Sequence, residues 1–294
     1  MANLIDIRRR IKSVKNTQQI TKAMKMVAAS KLRRAQDRVI AARPYAATLE
    51  AALVSVTSRV APAADGTPAH PLLGLREEKR VILLIVTGDK GLCGGFNANV
   101  QRAAGQFIRD AKARGVESIR LVTIGRKGHD FWKRRSFDVV DTRPGIFSRF
   151  SYEDAAGIAK ALSQRFVEGD VDAVWVLYNE FRSVISQVVR TRRLLPLELP
   201  AAASSEGGTD YLFEPSPAVI LGRLVPRHVE FQLYRILLES NAAENGARMT
   251  AMDGATKNAG ELIDTLTLTY NRARQARITK ELIEIVSGAA AAAG

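Results

Sequence analysis

The sequence predicts two long terminal helices that pair as an antiparallel coiled coil, with an α/β domain inserted between them. Two observations indicate this fold class, α/β plus all-α. All ten prolines of the 294-residue chain lie between Pro44 and Pro226, and no glycine precedes Gly66. Because both residues are costly inside helices, the two ends of the chain favour long helices. Between those ends, strand-like and helix-like stretches alternate, which is typical of a mainly parallel sheet.

Residues 1–60 carry an apolar pattern with a period of seven. Steps of alternately three and four residues meet apolar side chains except at three consecutive positions, Gln18, Thr21 and Lys25. A pattern this regular over about eight heptads favours a coiled-coil seam over an ordinary amphipathic helix. It continues in phase beyond Pro44, where we expect a kink. The seam positions are Leu4, Ile7, Ile11, Val14, Gln18, Thr21, Lys25, Ala28, Leu32, Ala35, Val39, Ala42, Ala46, Leu49, Leu53, Val56 and Val60.

The C-terminal part of the chain offers a partner helix of matching length. Its apolar period of seven later drifts by about one residue, toward Ile278, Leu282 and Ile285, which indicates an altered supercoil or a change of neighbour. Because a folded insert joins the two helices, they can pair in antiparallel fashion. Two separate helices in a larger bundle are the alternative. The regular part of the stripe comprises Leu238, Ala242, Asn245, Met249, Met252, Thr256, Ala259, Ile263 and Leu266.

The middle of the chain predicts an α/β domain. Strands are expected at residues 81–87, 119–124 and 171–178, with a further strand, at a sheet edge given its arginines, at 184–195; helices are expected at 97–113 and 151–168. Linkers rich in proline or in small residues are expected at 61–74 and 200–217. The predicted domains are therefore the N-terminal coiled-coil helix 1–60, the α/β domain 76–198, and the C-terminal helix 218–294, which pairs with 1–60.

Positive charge is concentrated at the N-terminus. The chain has a formal charge of +14, and residues 1–38 hold eleven Lys or Arg against the two acids Asp6 and Asp37. Such a cluster predicts an acidic partner, which can be a nucleic acid, an anionic membrane surface or an acidic protein face. A basic coiled-coil nucleic-acid-binding protein is therefore the alternative function. Two facts weaken it: the heptads run straight through the basic segment, and the segment has no aromatic side chain for base stacking.

Candidate catalytic chemistry is sparse. A glycine-rich turn at residues 88–97 lies between a predicted strand and a helix, but its spacing matches neither of the common phosphate-binding fingerprints, so a structural turn is favoured over a nucleotide site. Cys93 is the single cysteine, and the three histidines belong to no recognisable pair or triad. Metal-ligand spacing is absent. We expect no catalytic residue, cofactor or metal, no membrane-spanning segment, and a reducing cytoplasmic environment.

Three blocks of sequence resemble a known family. They are IKSVKNTQQITKAMKMVAASKLRRAQ at residues 11–36, DKGLCGGFN at 89–97, and a long block from Ala247 that contains ITKELIEIVSGAAA. Over essentially its whole length, the chain resembles the gamma subunit of bacterial and mitochondrial F-type ATP synthases. The resemblance implies a central rotor shaft: a coiled coil inside a ring of three alpha and three beta subunits, with a Rossmann-like domain near the epsilon subunit and the c ring.

The resemblance also implies the mechanism and the contact residues. Proton flow would turn the c ring and this shaft, whose asymmetry would drive the catalytic beta subunits through their nucleotide-binding states; the chain itself would be non-catalytic. It would lie peripherally on the cytoplasmic face of the bacterial inner membrane, touching the membrane through the c ring only. The residues implied to contact an acidic loop of beta are Arg248, Gln275 and Thr279, with Met24 and Lys25 on the first helix.

Overall fold

The computed structural model describes residues 4–60, 68–198, 214 and 216–293. Within these ranges the chain forms five α-helices and one five-stranded sheet. The elements, in chain order, are α1 (Leu4–Thr57), β1 (Arg80–Val86), α2 (Phe96–Ala113), β2 (Ser118–Ile124), α3 (Arg126–Lys133), β3 (Val139–Arg143), α4 (Tyr152–Val167), β4 (Ala173–Phe181), β5 (Gln187–Leu195) and α5 (Pro217–Ala293). Two long terminal helices flank an α/β domain, so the predicted fold class is confirmed.

The sheet has the strand order β3-β2-β1-β4-β5. Its first four strands pair in parallel, and β5 pairs antiparallel with β4. A short loop, residues 182–186, joins β4 directly to β5, which allows only an antiparallel pair. The predicted strands correspond to β1, β2, β4 and the edge strand β5.

Two elements were not predicted from the sequence. The strand β3, with the sequence VVDTR, is short and half-buried along most of its length, so it lacks the continuous apolar run that identifies β1. The helix α3 has only eight residues, too few to establish a helical period, and it contains Gly128. Both elements are held in place by the sheet and by α2 rather than by strong local preferences.

Helices cover both faces of the sheet. On one face, Ile82, Leu84 and Val86 of β1 are buried with apolar residues of α1, α4 and α5. On the other face, Leu83 and Ile85 are buried with residues of α2 and α3. Because successive side chains of a strand point to opposite faces, one continuous apolar run serves both layers.

The chain divides into two compact units. One contains residues 29–248, and the other contains residues 1–28 and 249–294. The first unit thus includes the second half of α1 and the first part of α5 together with the sheet. The predicted boundaries at 60, 76, 198 and 218 remain a prediction about domains, and the predicted linkers lie largely outside the described residues.

The α1 seam is covered at every predicted position. Each of the seventeen residues from Leu4 to Val60 is buried or half-buried, and none is exposed. α1 also continues as a helix through Pro44. The kink expected there remains a prediction.

A polar layer fixes the pairing of the two helices in the unit of residues 1–28 and 249–294. Lys25 Nζ lies 2.6 Å from Asp253 Oδ1, and the hydroxyls of Thr21 and Thr256 lie 2.8 Å apart. Gln18 Nε2 donates to the Thr256 carbonyl at 3.5 Å. The three polar exceptions in the predicted seam therefore all contact α5. Polar groups at such positions specify the register of a coiled coil, and the order of these contacts makes the pair antiparallel.

On α5, the apolar positions with the regular period of seven, from Leu238 to Leu266, are buried or half-buried. The apolar positions that follow them are not. Ile278, Leu282 and Ile285 are exposed. In the register of Lys25 with Asp253, Leu4, the first described residue of α1, lies opposite roughly residue 274, so the described part of α1 ends before these residues. The drift in the stripe therefore coincides with the end of the intrachain partner.

By length and composition alone, one 18-residue stretch of α1, with mean hydropathy 1.3, could cross a membrane, and 17% of it is buried within the chain. The sequence had not predicted such a stretch. Three apolar residues of the same helix, Leu49, Leu53 and Val56, are buried. A helix that covers a core has the same composition, so this finding is weak support for a membrane span.

Truncation of Leu53 tests whether α1 belongs to the core of the sheet-containing unit. Leu53 is fully buried, so we expect Leu53→Ala to lower the free energy of unfolding by about 2–5 kcal/mol. The control is Leu268→Ala on α5, where Leu268 is 60% exposed and the expected change is within about 0.5 kcal/mol. Urea unfolding of the full chain measures both. Equal losses would contradict the assignment.

The Lys25–Asp253 pair predicts a pH dependence. The hydrogen bond from Lys25 lowers the pKa of the Asp253 carboxyl below its ordinary value. A carboxyl with a lowered pKa in the folded state stabilises that state above its unfolded pKa, and the contribution is lost as the pH falls through the folded pKa. We expect the stability difference between the wild type and Asp253→Asn to be present at pH 7 and to shrink below about pH 4. A difference that is constant from pH 7 to pH 3 would contradict this.

Candidate partner-binding surface

Four of the five predicted contact residues lie in the unit of residues 1–28 and 249–294. Met24 and Lys25 are half-buried on α1, and Gln275 and Thr279 are exposed on α5. Lys25 is already engaged, because its ammonium pairs with Asp253; the two side chains are 40% and 37% exposed. Enough of Lys25 remains accessible for a second, external carboxylate.

The outer side of α1 combines charge with apolar surface. Among the eleven basic residues within positions 1–38, all except Lys25 are exposed. Ile20, Met26 and Val27 are exposed as well. A basic surface that includes several large apolar side chains is suited to an acidic protein face with apolar contacts of its own, rather than to bulk water alone.

The last turns of α5 form a second exposed surface. Thr279 lies one turn after Gln275, and its hydroxyl donates to the Gln275 carbonyl at 3.0 Å. Around them, large apolar residues are exposed: Ile278, Leu282, Ile283, Ile285 and Val286. Within the described residues nothing covers these side chains, and their number is unusual for a free helix in water. We call residues 275–286 the α5 end surface.

Arg248 belongs to the other compact unit and has a different environment. Its Nη2 donates to Glu244 Oε1 at 2.6 Å and to the Gly91 carbonyl at 3.4 Å. The side chains of Arg248 and Glu244 are only 15% and 10% exposed. Most of the guanidinium therefore contacts its own chain. The prediction that Arg248 contacts a partner did not include these contacts.

Polar contacts hold the glycine-rich loop, residues 88–95, to neighbouring segments of the chain. Asp89 Oδ1 accepts hydrogen bonds from the backbone N–H groups of Arg126 (3.0 Å) and Gly145 (2.8 Å). The Gly88 N–H donates to Asn97 Oδ1 at 2.9 Å. Backbone N–H groups at this edge of a doubly wound sheet hold phosphates in nucleotide-binding proteins. Here the Asp89 carboxylate accepts hydrogen bonds from two backbone N–H groups at this edge. This favours a structural turn over a nucleotide site.

Cys93 belongs to this loop, and its side chain is buried. It packs with Phe96, Ala243 and Ala247, and Asn97 Nδ2 donates to its sulfur at 3.3 Å. Burial raises the pKa of the Cys93 thiol. A thiol with a raised pKa is a poor nucleophile at neutral pH, so the geometry favours a packing role. Within the described ranges there is also no group of three His, Cys, Asp or Glu residues that could hold a metal ion.

Sequence reasoning missed two charged residues at these surfaces. Glu244 precedes Arg248 by four residues on one helix, a spacing that predicts an ion pair and could have identified it. Asp253 pairs with a residue of a different helix, and no local pattern indicates such a contact. No reason for a glycine at position 88 was evident from the sequence. In the structure, a Cβ there would lie 2.7 Å from Glu244 Oε1.

Comparisons with known proteins agree along the whole chain. The family model described as ATP synthase matches residues 3–292. The ATP synthase gamma chain of Solibacter usitatus is 53% identical over 292 residues, which cover 99% of this chain and 100% of the relative. The gamma chain of Chlorobaculum parvum is 49% identical and covers 98% of both chains.

Solved structures have the same fold. A chain of the central stalk and c-ring structure of Tetrahymena thermophila mitochondrial ATP synthase matches with a TM-score of 0.61 and 25% identity, over 80% of this chain and 99% of that chain. A chain from the Euglena gracilis mitochondrial ATP synthase matches with a TM-score of 0.67 and 17% identity, over 98% and 94%. The chain therefore belongs to the ATP synthase gamma chain family and is a subunit of that complex.

Proposed function

We propose that this chain is the central rotor shaft of an F-type ATP synthase. It couples proton-driven rotation of the c ring to conformational cycling of the catalytic beta subunits. Its partners are three alpha and three beta subunits, the epsilon subunit and the c ring. Family membership over the whole chain supports the role, as does the similarity to a chain from a structure described as central stalk and c-ring.

The observation that carries this proposal is the α5 end surface. Five large apolar side chains between Ile278 and Val286 are exposed where α1 no longer accompanies α5. A partner that encloses the end of the helix would remove them from water. These side chains lie on one face of the helix, opposite the charged residues Arg277, Lys280, Glu281 and Glu284. Such a surface suits a surrounding ring of subunits that offers apolar contacts of its own.

Paired helices suit the transmission of torque. An isolated helix in water is marginally stable, whereas α1 and α5 support each other along a seam with a polar layer at Gln18, Thr21 and Lys25. A rotor must also avoid binding any single orientation too tightly. Contacts through exposed charges suit this requirement, because an exposed ion pair contributes only about 0–1 kcal/mol.

We assign the contacts with an acidic loop of beta as follows. Met24, Lys25, Gln275 and Thr279 contact that loop directly, since all four have accessible surface. Arg248 reaches it only through the exposed 15% of its side chain.

The chain takes no part in the chemistry and lies peripherally at the membrane. Catalysis belongs to beta; the protonated, buried thiol of Cys93 offers no nucleophile to support it here. The chain lies on the cytoplasmic face of a bacterial inner membrane and touches the membrane through the c ring only. The roughly 50% identity to bacterial gamma chains supports this location. The nucleic-acid-binding alternative receives no support from the comparisons.

Reconstitution tests the proposed function. We expect the full chain to co-purify with alpha and beta subunits in a 3:3:1 complex, and to support ATP-driven proton pumping when the c ring and epsilon are present. The chain alone should show no steep, salt-dependent affinity for duplex DNA at physiological ionic strength. Failure to join alpha and beta, together with such DNA binding, would favour the alternative.

A charge at position 275 tests the direct contact. Gln275→Glu places a negative charge against the acidic loop, so we expect several-fold fewer protons pumped per ATP hydrolysed, with a normal yield of assembled complex. The same change at Gln106, an exposed residue of α2, is the control and should leave pumping unchanged. A loss of assembly equal to the loss of pumping, or an equal effect of Gln106→Glu, would refute the contact.

A further inference from the structure

The crevice in which doubly wound proteins bind ligands is filled by α5 in this chain. The strand order β3-β2-β1-β4-β5 places the topological switch point between β1 and β4, and ligands of such folds bind outside the carboxyl ends of these strands. Cys93 and Phe96, which follow β1, pack here against Ala243 and Ala247 of α5, with Phe181 at the end of β4 beside them. The chain's own helix takes the place of a ligand.

At the switch point, a directional interaction supports this apolar packing. Arg248 binds both Glu244 on its own helix and the Gly91 carbonyl of the glycine-rich loop. Gly88 lies against the same carboxylate: a Cβ there would lie 2.7 Å from Glu244 Oε1 and 2.8 Å from its carboxyl carbon, so a side chain at position 88 would displace the Glu244 carboxylate. The apolar contacts are non-directional, so they permit α5 to turn or slide slightly; a charge-assisted hydrogen bond does not.

We propose that Glu244, Arg248 and Gly88 form a latch that fixes the rotational position of α5 against the sheet. Glu244 is a positioning residue: it holds the Arg248 guanidinium on the Gly91 carbonyl. The principal partner of Arg248 is then its own chain rather than beta. The latch itself is independent of the proposed function; its consequence for torque, that the sheet and α5 turn together, rests on that function.

The burial of the pair makes the latch sensitive to single changes. Removing one member of a buried charge pair leaves the other charged and unpaired, which is far more costly than removing both. The single variants Glu244→Gln and Arg248→Gln should therefore each increase the population of the open loop. The double variant should increase that population no more than either single variant. This pattern distinguishes a coupled pair from two independent roles, because independent effects add.

Cys93 supplies a direct measurement of loop opening. It is the only cysteine of the chain, and its side chain is buried where the loop packs against α5. A maleimide can reach it only when the loop opens, so the labelling rate follows the population of the open state.

The first experiment measures maleimide labelling of the native full chain alone. We expect Glu244→Gln, Arg248→Gln and Gly88→Ala each to raise the labelling rate about tenfold or more, and the double variant to label no faster than either charge variant. Arg277→Gln removes a matched but exposed pair with Glu281 and should leave the rate unchanged. Circular dichroism confirms that each variant is folded. The latch is refuted if Gly88→Ala and Glu244→Gln are both labelled at the wild-type rate. It is also refuted if the effects of Glu244→Gln and Arg248→Gln on the labelling rate add in the double variant.

The second experiment measures protons pumped per ATP hydrolysed in the assembled complex. The latch predicts that Glu244→Gln and Arg248→Gln lower this ratio alike. A role of Arg248 solely as a beta contact predicts a loss for Arg248→Gln and none for Glu244→Gln, which would overturn the proposal. Failure of the proposed function would appear differently, as failure of the wild-type chain to assemble, and it would leave the labelling result intact.

Discussion

The seam between α1 and α5 determines how the two ends of the chain become structured. Both helices are far longer than the segments they could stabilise by local preference, and each covers the apolar stripe of the other. Apolar contacts alone would permit several registers. The layer of Gln18, Thr21 and Lys25, with its partners on α5, selects one of them.

The environment of α5 differs between its two ends. In the unit of residues 29–248, α5 is enclosed by the chain, packed on a sheet face and across the switch point. Beyond the reach of α1 it is exposed and apolar. A helix that is buried in its own domain at one end and uncovered at the other is suited to carry motion from that domain to an external partner.

The sequence contained enough information for the seam but not for the latch. A heptad pattern is local, so every predicted α1 position, including the polar exceptions, proved to be covered. The strands with continuous apolar runs could also be predicted from the sequence. The strand β3 and the helix α3 were not, because neighbouring elements rather than their own residues stabilise them. The resemblance indicated Arg248 as a partner contact. Its pair with Glu244 has a local four-residue spacing that could have been recognised. Its contact with the Gly91 carbonyl joins residues 157 positions apart, which no periodicity reveals.

This chain turns as a shaft inside a ring of subunits, and direct observation of its rotation is the most direct test of that role. A marker attached at Lys112, an exposed residue of α2, would report the motion of the sheet-containing unit in a surface-held complex of alpha, beta and this chain. We expect ATP to turn the marker in one direction, with three resting positions per turn that correspond to the three beta subunits. A complex that hydrolyses ATP at a full rate while the marker stays fixed would contradict that role.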